Sequence, residues 1–141
     1  MAGIACIAPD VRRQGLFQRL ATSAMMAGGN VDYSKPFLFA GRMAHVITYR
    51  TMASKTTGAV PSTNNPLSVW HKDVAVEVAK LFKCEVNRDT LVVKGSGKPV
   101  GFPLISYDAT PEEEKLFEHV DRARGDSLLS MCWIPSAPAG W

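Results

Sequence analysis

The sequence predicts an α/β domain with a mixed sheet, and three observations carry that expectation. Short apolar runs of strand length occur at residues 4–8, 37–40 and 127–134. Longer stretches between them repeat apolar residues at helical spacing. Strand, helix, strand at this spacing in the first forty residues or so implies a parallel, right-handed crossover.

In order along the chain, residues 4–8 are a continuous apolar run and read as a buried strand. A helix over 14–27 sets Leu16, Phe17, Leu20, Ala21 and Ala24 on one side, and Gly28-Gly29-Asn30 stops it. Residues 37–40 follow a Tyr-Ser-Lys-Pro break as a second buried strand. The next helix, about 43–54, directs Met43, Val46, Ile47 and Ala53 to the core, with His45, Tyr49 and Met52 on a neighbouring face. Residues 55–65 read as a surface loop suited to a hinge or lid. Asn65-Pro66 then opens a helix to about residue 83 whose apolar face is Trp70, Val74, Val78, Leu81 and Phe82.

The β-branched content of residues 90–94 predicts a strand. Gly95-Ser96-Gly97-Lys98 lacks the glycine spacing of a phosphate loop and reads as a hairpin turn, with residues 100–106 returning as an edge strand that tolerates Pro103. Thr110-Pro111-Glu112-Glu113 is a capping box, and its helix buries Leu116, Phe117 and Val120 before stopping at Gly125. Residues 127–134 form the last strand, followed by a Pro/Ala tail.

The chain's 141 residues suit one domain with a real core. At 46% apolar and 21% charged, with mean hydropathy near zero, the composition is that of a soluble globular protein. No apolar run approaches the ~20 residues of a membrane helix, and no secretory signal is visible, so a cytoplasmic location is expected. Cys6, Cys84 and Cys132 lie in or beside apolar runs without paired spacing, as buried reduced thiols do. His45, His71 and His119 are scattered, and no metal site is expected. Net charge is +3, with ten Lys or Arg against four acids in residues 1–83 and six against nine in the remainder. That basic half suits a small anionic ligand; a dense basic stripe with interleaved aromatics, as nucleic acid would need, is absent.

The most informative stretch is Ile4-Ala5-Cys6-Ile7-Ala8-Pro9-Asp10-Val11-Arg12-Arg13-Gln14-Gly15-Leu16-Phe17-Gln18-Arg19-Leu20. It reads as an apolar run, a turn with two arginines closed by glycine, and a helix start. Gly15 lets the backbone approach a ligand, the first helical turn offers N–H groups, and Arg12 and Arg13 add forked donors for phosphate. Together they describe a pyrophosphate cradle.

This wording resembles the acetyl-CoA-binding motif of the GNAT N-acetyltransferases, [Arg/Gln]-x-x-Gly-x-[Gly/Ala], with Arg12 and Gly15 in the first and central places. Phe17 stands where a small residue is usual. The resemblance is strongest over residues 4–55 and implies a single GNAT-like, N-terminally short domain over 1–141. Residues 1–55 would be its cofactor-binding core, and residues 56–141 its C-terminal strands and helices. It implies transfer of acetyl from acetyl-CoA to an unidentified amine, on a small molecule or protein. By the family pattern, Cys6 and Ile7 would pair with the pantetheine arm, and the backbone from Arg12 through Arg13, Gln14, Gly15 and Leu16 to Phe17 would hold the pyrophosphate. Tyr49-Arg50-Thr51-Met52-Ala53 fits the family's Tyr-x-x-[Met/Leu]-small pattern, which makes Tyr49 the proton donor to the leaving thiolate. A half-buried packing tyrosine is the alternative. Arg42 stands where the family often has Asn.

The resemblance begins inside the family's fourth strand, without the strands and helices that usually wall the acceptor groove. Three expectations stay open: a fragment or short form, C-terminal strands that rebuild the sheet, or a partner chain at the N-terminal strand edge. A noncatalytic descendant serving as a binding or assembly module is the competing functional reading.

Overall fold

The computed structural model describes residues 7–11, 14–27, 32, 34–54, 56–64, 66–96 and 108–141. The expected strand at residues 4–8 lies largely outside them, as do Arg12, Arg13, Gly28-Gly29-Asn30, Asn65 and the return strand at 100–106. The chain divides into two compact units, Met1–Lys35 and Pro36–Trp141.

In the first unit, a 3-10 turn over Pro9–Val11 precedes helix α1, Leu16–Ala27. The expected helix over 14–27 is therefore present, beginning two residues later. Gly15 explains the start: its φ of 70° is the left-handed conformation that glycine adopts without a steric cost, and its carbonyl accepts the first helical bond from the Arg19 N–H at 3.1 Å.

The second unit contains β1 (Phe37–Met43), α2 (Val46–Ala53), β2 (Thr57–Val60), α3 (Val69–Leu81), β3 (Val92–Val93), α4 (Pro111–Leu116) and β4 (Ser127–Ile134). It is an α/β arrangement in which β4 lies between β1 and β2, with β3 also pairing with β4. Phe37 faces Ile134 and Met43 faces Leu128 across β1 and β4, while Thr57 faces Trp133 and Val60 faces Met131 across β2 and β4. Val92 and Val93 pair with Leu128 and Ser127. Because β1 and β2 are both antiparallel to β4, they run in the same direction, and α2 joins them as a strand–helix–strand crossover with β4 inserted. Every pairing among the described residues is antiparallel, so the parallel component of the expected mixed sheet is not found there.

The apolar run of β4 is what a central strand requires. Leu128, Leu129, Met131 and Cys132 are fully buried, and with them Ser127 and Ser130. Consecutive burial means that both faces are covered, which a strictly alternating strand could not satisfy. Val46, Tyr49 and Met52 of α2, Ala75, Val78 and Ala79 of α3, Leu91 to Val93, and Phe117 complete the core. Leu91 reaches this position with φ 56°, a conformation costing on the order of 1–2 kcal/mol for a branched residue. Its N–H donates to the Asn87 carbonyl and its own carbonyl accepts from Leu129, both at 2.8 Å.

Several expected faces and boundaries shift. Residues 37–40 extend as a strand to Met43, so α2 starts at Val46 rather than near Met43. Its core stripe is Val46, Tyr49 and Met52, while Ile47 is exposed. The expected loop at 55–65 contains β2, an edge strand of small residues. In α3 the buried face is His71, Ala75, Val78 and Ala79, whereas Trp70 and Leu81 are 40% and 75% exposed. The two alanines let the helix approach closely, and that approach outweighs the size of Trp70 and Leu81. Ser68 caps α3: His71 N–H donates to Ser68 Oγ at 3.1 Å and Ser68 N–H donates to His71 Nδ1 at 3.2 Å. The Thr110–Glu113 capping box is present as expected, but α4 ends at Leu116 and turns lead on to Gly125.

Replacing Leu128 with Ala removes a fully buried side chain from the central strand, where the ladder on both sides resists collapse. The expected cost is about 2–5 kcal/mol, read as a lower urea midpoint at unchanged slope.

Candidate functional site

The basic turn is described in part. Ile7 is half-buried and the Val11 N–H donates to the Ala8 carbonyl at 3.2 Å, which folds the chain tightly ahead of α1. Gln14 and Gly15 are exposed and Leu16 is half-buried. A Cβ built on Gly15 meets no described residue within 4 Å. The first turn of α1 carries no acid, and its leading N–H groups precede the reach of the helical ladder. These are the features that an anion needs from a helix start. Phe17 belongs to α1; Cys6, Arg12 and Arg13 lie outside the described residues.

Tyr49 sits on α2, the helix directly after β1. Its ring is buried against Phe117, edge to face, with centroids 6.2 Å apart at 75°. The hydroxyl donates to the Pro61 carbonyl at 2.6 Å. Burial, and then the nearby Glu113 charge, push the phenol above its ordinary value, so it holds its proton throughout the physiological range. His45, one turn before it, is buried at the N-terminal boundary of α2, and burial and then Arg122 lower its pKa.

A cleft of about 400 Å³ opens between α2, β2 and the loop after β2, with Glu113 at one side and Tyr49 in its wall. Arg50 closes on Glu113 through two parallel bonds, Nε to Oε1 at 2.7 Å and Nη2 to Oε2 at 2.5 Å, and Nη2 also donates to the Asp108 carbonyl at 2.7 Å. This pairing was not legible in the sequence, where Glu113 read only as a capping residue. It joins α2 to the start of α4, and the two charges neutralise each other at the cleft. Among the described residues no group of three His, Cys, Asp or Glu could hold a metal ion, and no helix is long and apolar enough to cross a membrane.

Within β2, the Gly58 carbonyl accepts from Trp141 Nε1 at 2.7 Å. The indole meets Trp70, His71 and Trp133 edge to face, with centroids 5.2, 4.7 and 5.7 Å away. Gly58 has φ 68°, and a Cβ there would stand 2.8 Å from Trp141 Cδ1. Only glycine satisfies both requirements.

The Arg50 pairing first, then the Thr110 N–H, depress the Glu113 carboxyl from 4.5 to about 2. Its stabilising contribution is fully present above pH 4.5 and disappears as pH falls through 2, because the unfolded chain takes up this proton first. Glu113→Gln is therefore expected to flatten that part of the acid limb of stability. Denaturant midpoints measured at closely spaced pH values check this, and the difference between the proteins should shrink in high salt because Arg50 is half exposed.

No protein-family model, no curated protein and no solved structure matches this chain.

Proposed function

We propose that this chain is an acyltransferase domain that moves an acetyl group from acetyl-CoA to an amine. The observation that carries the reading is the open, left-handed Gly15 at the mouth of α1, following a turn whose sequence resembles the GNAT cofactor motif. The described residues fit a pyrophosphate: Gln14 and Gly15 are exposed, no described residue lies within 4 Å of a Cβ at the glycine, and the helix starts without acids. Arg12 and Arg13 supply the positive charge in this proposal. Acetyl-CoA, when bound, supplies a thioester carbon activated toward an amine nitrogen. In this proposal Tyr49 is the proton donor to the departing sulfur: it holds its proton at Oη through the physiological range, and burial makes that phenol a weaker acid than a free one. The position of Tyr49 on the helix after β1 agrees with the order that the resemblance implies.

A second reading is favoured by one bond. Tyr49 Oη already serves the Pro61 carbonyl, which makes the phenol a packing group of a noncatalytic binding or assembly module. Tyr49→Phe separates the two. For the transferase, kcat falls by about 10²–10⁴-fold with cofactor affinity retained. For the noncatalytic module neither protein transfers acetyl, and stability drops by about 1–3 kcal/mol, because the Pro61 carbonyl loses its donor.

The cofactor assignment has its own test. Gly15→Asp brings a carboxylate to the helix mouth at a position whose positive φ Asp tolerates better than most residues. Calorimetric titration with CoA should show at least a tenfold loss of affinity, with circular dichroism unchanged. Equal affinity in the variant overturns the assignment.

A further inference from the structure

We propose that His71 is a pH-sensitive latch in the second unit: on taking up a proton it breaks the cap of α3 and releases the Trp141 indole from the Gly58 carbonyl. The latch starts at Nδ1. Ser68 N–H donates to this nitrogen at 3.2 Å, so Nδ1 presents its lone pair and the neutral ring carries its one proton on Nε2. An imidazolium carries hydrogen on both nitrogens. Nδ1–H would then point at Ser68 N–H, donor against donor, and the capping box would lose one of its two bonds. His71 is also the third residue of α3, where the partial positive charge of a helix start opposes a cation.

Among the described residues nothing offsets that charge. His71 is 8% exposed, and its Nε2 is buried without a hydrogen-bond partner. Residues 57–68 and 133–141, which supply the cap, the seat and the tail, carry no acidic or basic side chain. On α3 itself, the adjoining Lys72 is paired with Asp89 at 2.7 Å, and Asp73 is paired with Arg88. Burial alone moves the imidazole pKa, downward; neither Lys72 nor the Trp141 carboxylate acts on it. The closed form therefore holds the neutral ring, and the proton goes to the form in which the ring reaches water. Trp141 bars that route. Its indole meets the imidazole with centroids 4.7 Å apart and is itself set against Trp70 and Trp133. Hydrating the charged ring displaces the indole, which breaks its bond to Gly58 and returns that β2 carbonyl to solvent. The open form takes up the proton near the ordinary 6.5 and the closed form below it, so closure is complete above 6.5 and weakens as pH falls beneath that value. The latch is independent of the transferase reading.

The test uses intrinsic fluorescence of the full chain, whose three tryptophans, Trp70, Trp133 and Trp141, all belong to this cluster. Emission should move to longer wavelength as pH is lowered from about 8 to about 5, the range in which histidine titrates, with far-ultraviolet circular dichroism retained. Protection of the Ser68 amide against hydrogen exchange should fall roughly tenfold over the same interval, as the loss of one hydrogen bond requires. His71→Gln keeps an acceptor for Ser68 N–H and has no proton to take up, so its emission should stay flat. A second readout needs no variant: the His71 imidazole resonances of the parent protein should titrate below 6.5 with the midpoint of the emission change. Unchanged emission overturns the inference, including the case in which the indole face holds the imidazolium in place. A shift that persists in His71→Gln overturns it too, as does a midpoint that follows His45 or His119 instead.

Discussion

The hydrogen-bond ladder of β4 is the constraint on which the second unit depends. Among the described residues β1, β2 and β3 all find their strand partner in β4. Its six residues from Ser127 to Cys132 are buried in succession, so it serves as sheet centre and as the middle of the core at once. Side chains from α2, α3 and the Leu91–Val93 segment converge on it. Asp126, immediately before β4, is buried yet ionised, held by the Arg124 guanidinium, and it accepts from the Gly95 N–H at 2.8 Å. That one carboxylate ties the turn after β3 to the start of the central strand.

Much of this architecture was legible, for definable reasons. The run Ser127-Leu128-Leu129-Ser130-Met131-Cys132-Trp133-Ile134 is long, apolar and flanked by a glycine turn, and it is a strand at its expected limits. Thr110-Pro111-Glu112-Glu113 announced a helix start because capping is local chemistry, complete within four residues. What was not legible depended on partners far along the chain. Thr57-Gly58-Ala59-Val60 has little intrinsic strand character and becomes β2 through pairing with Met131 and Trp133. The core face of α3 was misjudged because large residues were preferred, whereas close packing selected Ala75 and Ala79. The helix start after Gly15 could be read from its own residues, while the pairing of Arg50 with Glu113 spans 63 positions and left no local trace.

Arg50 and Glu113 show how one contact can act on two levels. The guanidinium is fixed by both carboxylate oxygens and by the Asp108 carbonyl, so it braces α2 against the segment that starts α4. The same geometry removes its charge from the cleft beside it. An isolated arginine there would favour anions; the paired one is offset by a carboxylate at the same place.

The seat of Trp141 has a consequence for the backbone of β2. Among the described residues β2 is an edge strand, and an edge strand exposes backbone acceptors that another molecule can use to extend the sheet. At Gly58 the carbonyl is taken by the indole N–H, and the same ring fills the space a Cβ would need. The aromatic tail therefore takes one acceptor of β2 out of reach of any strand that would extend the sheet there.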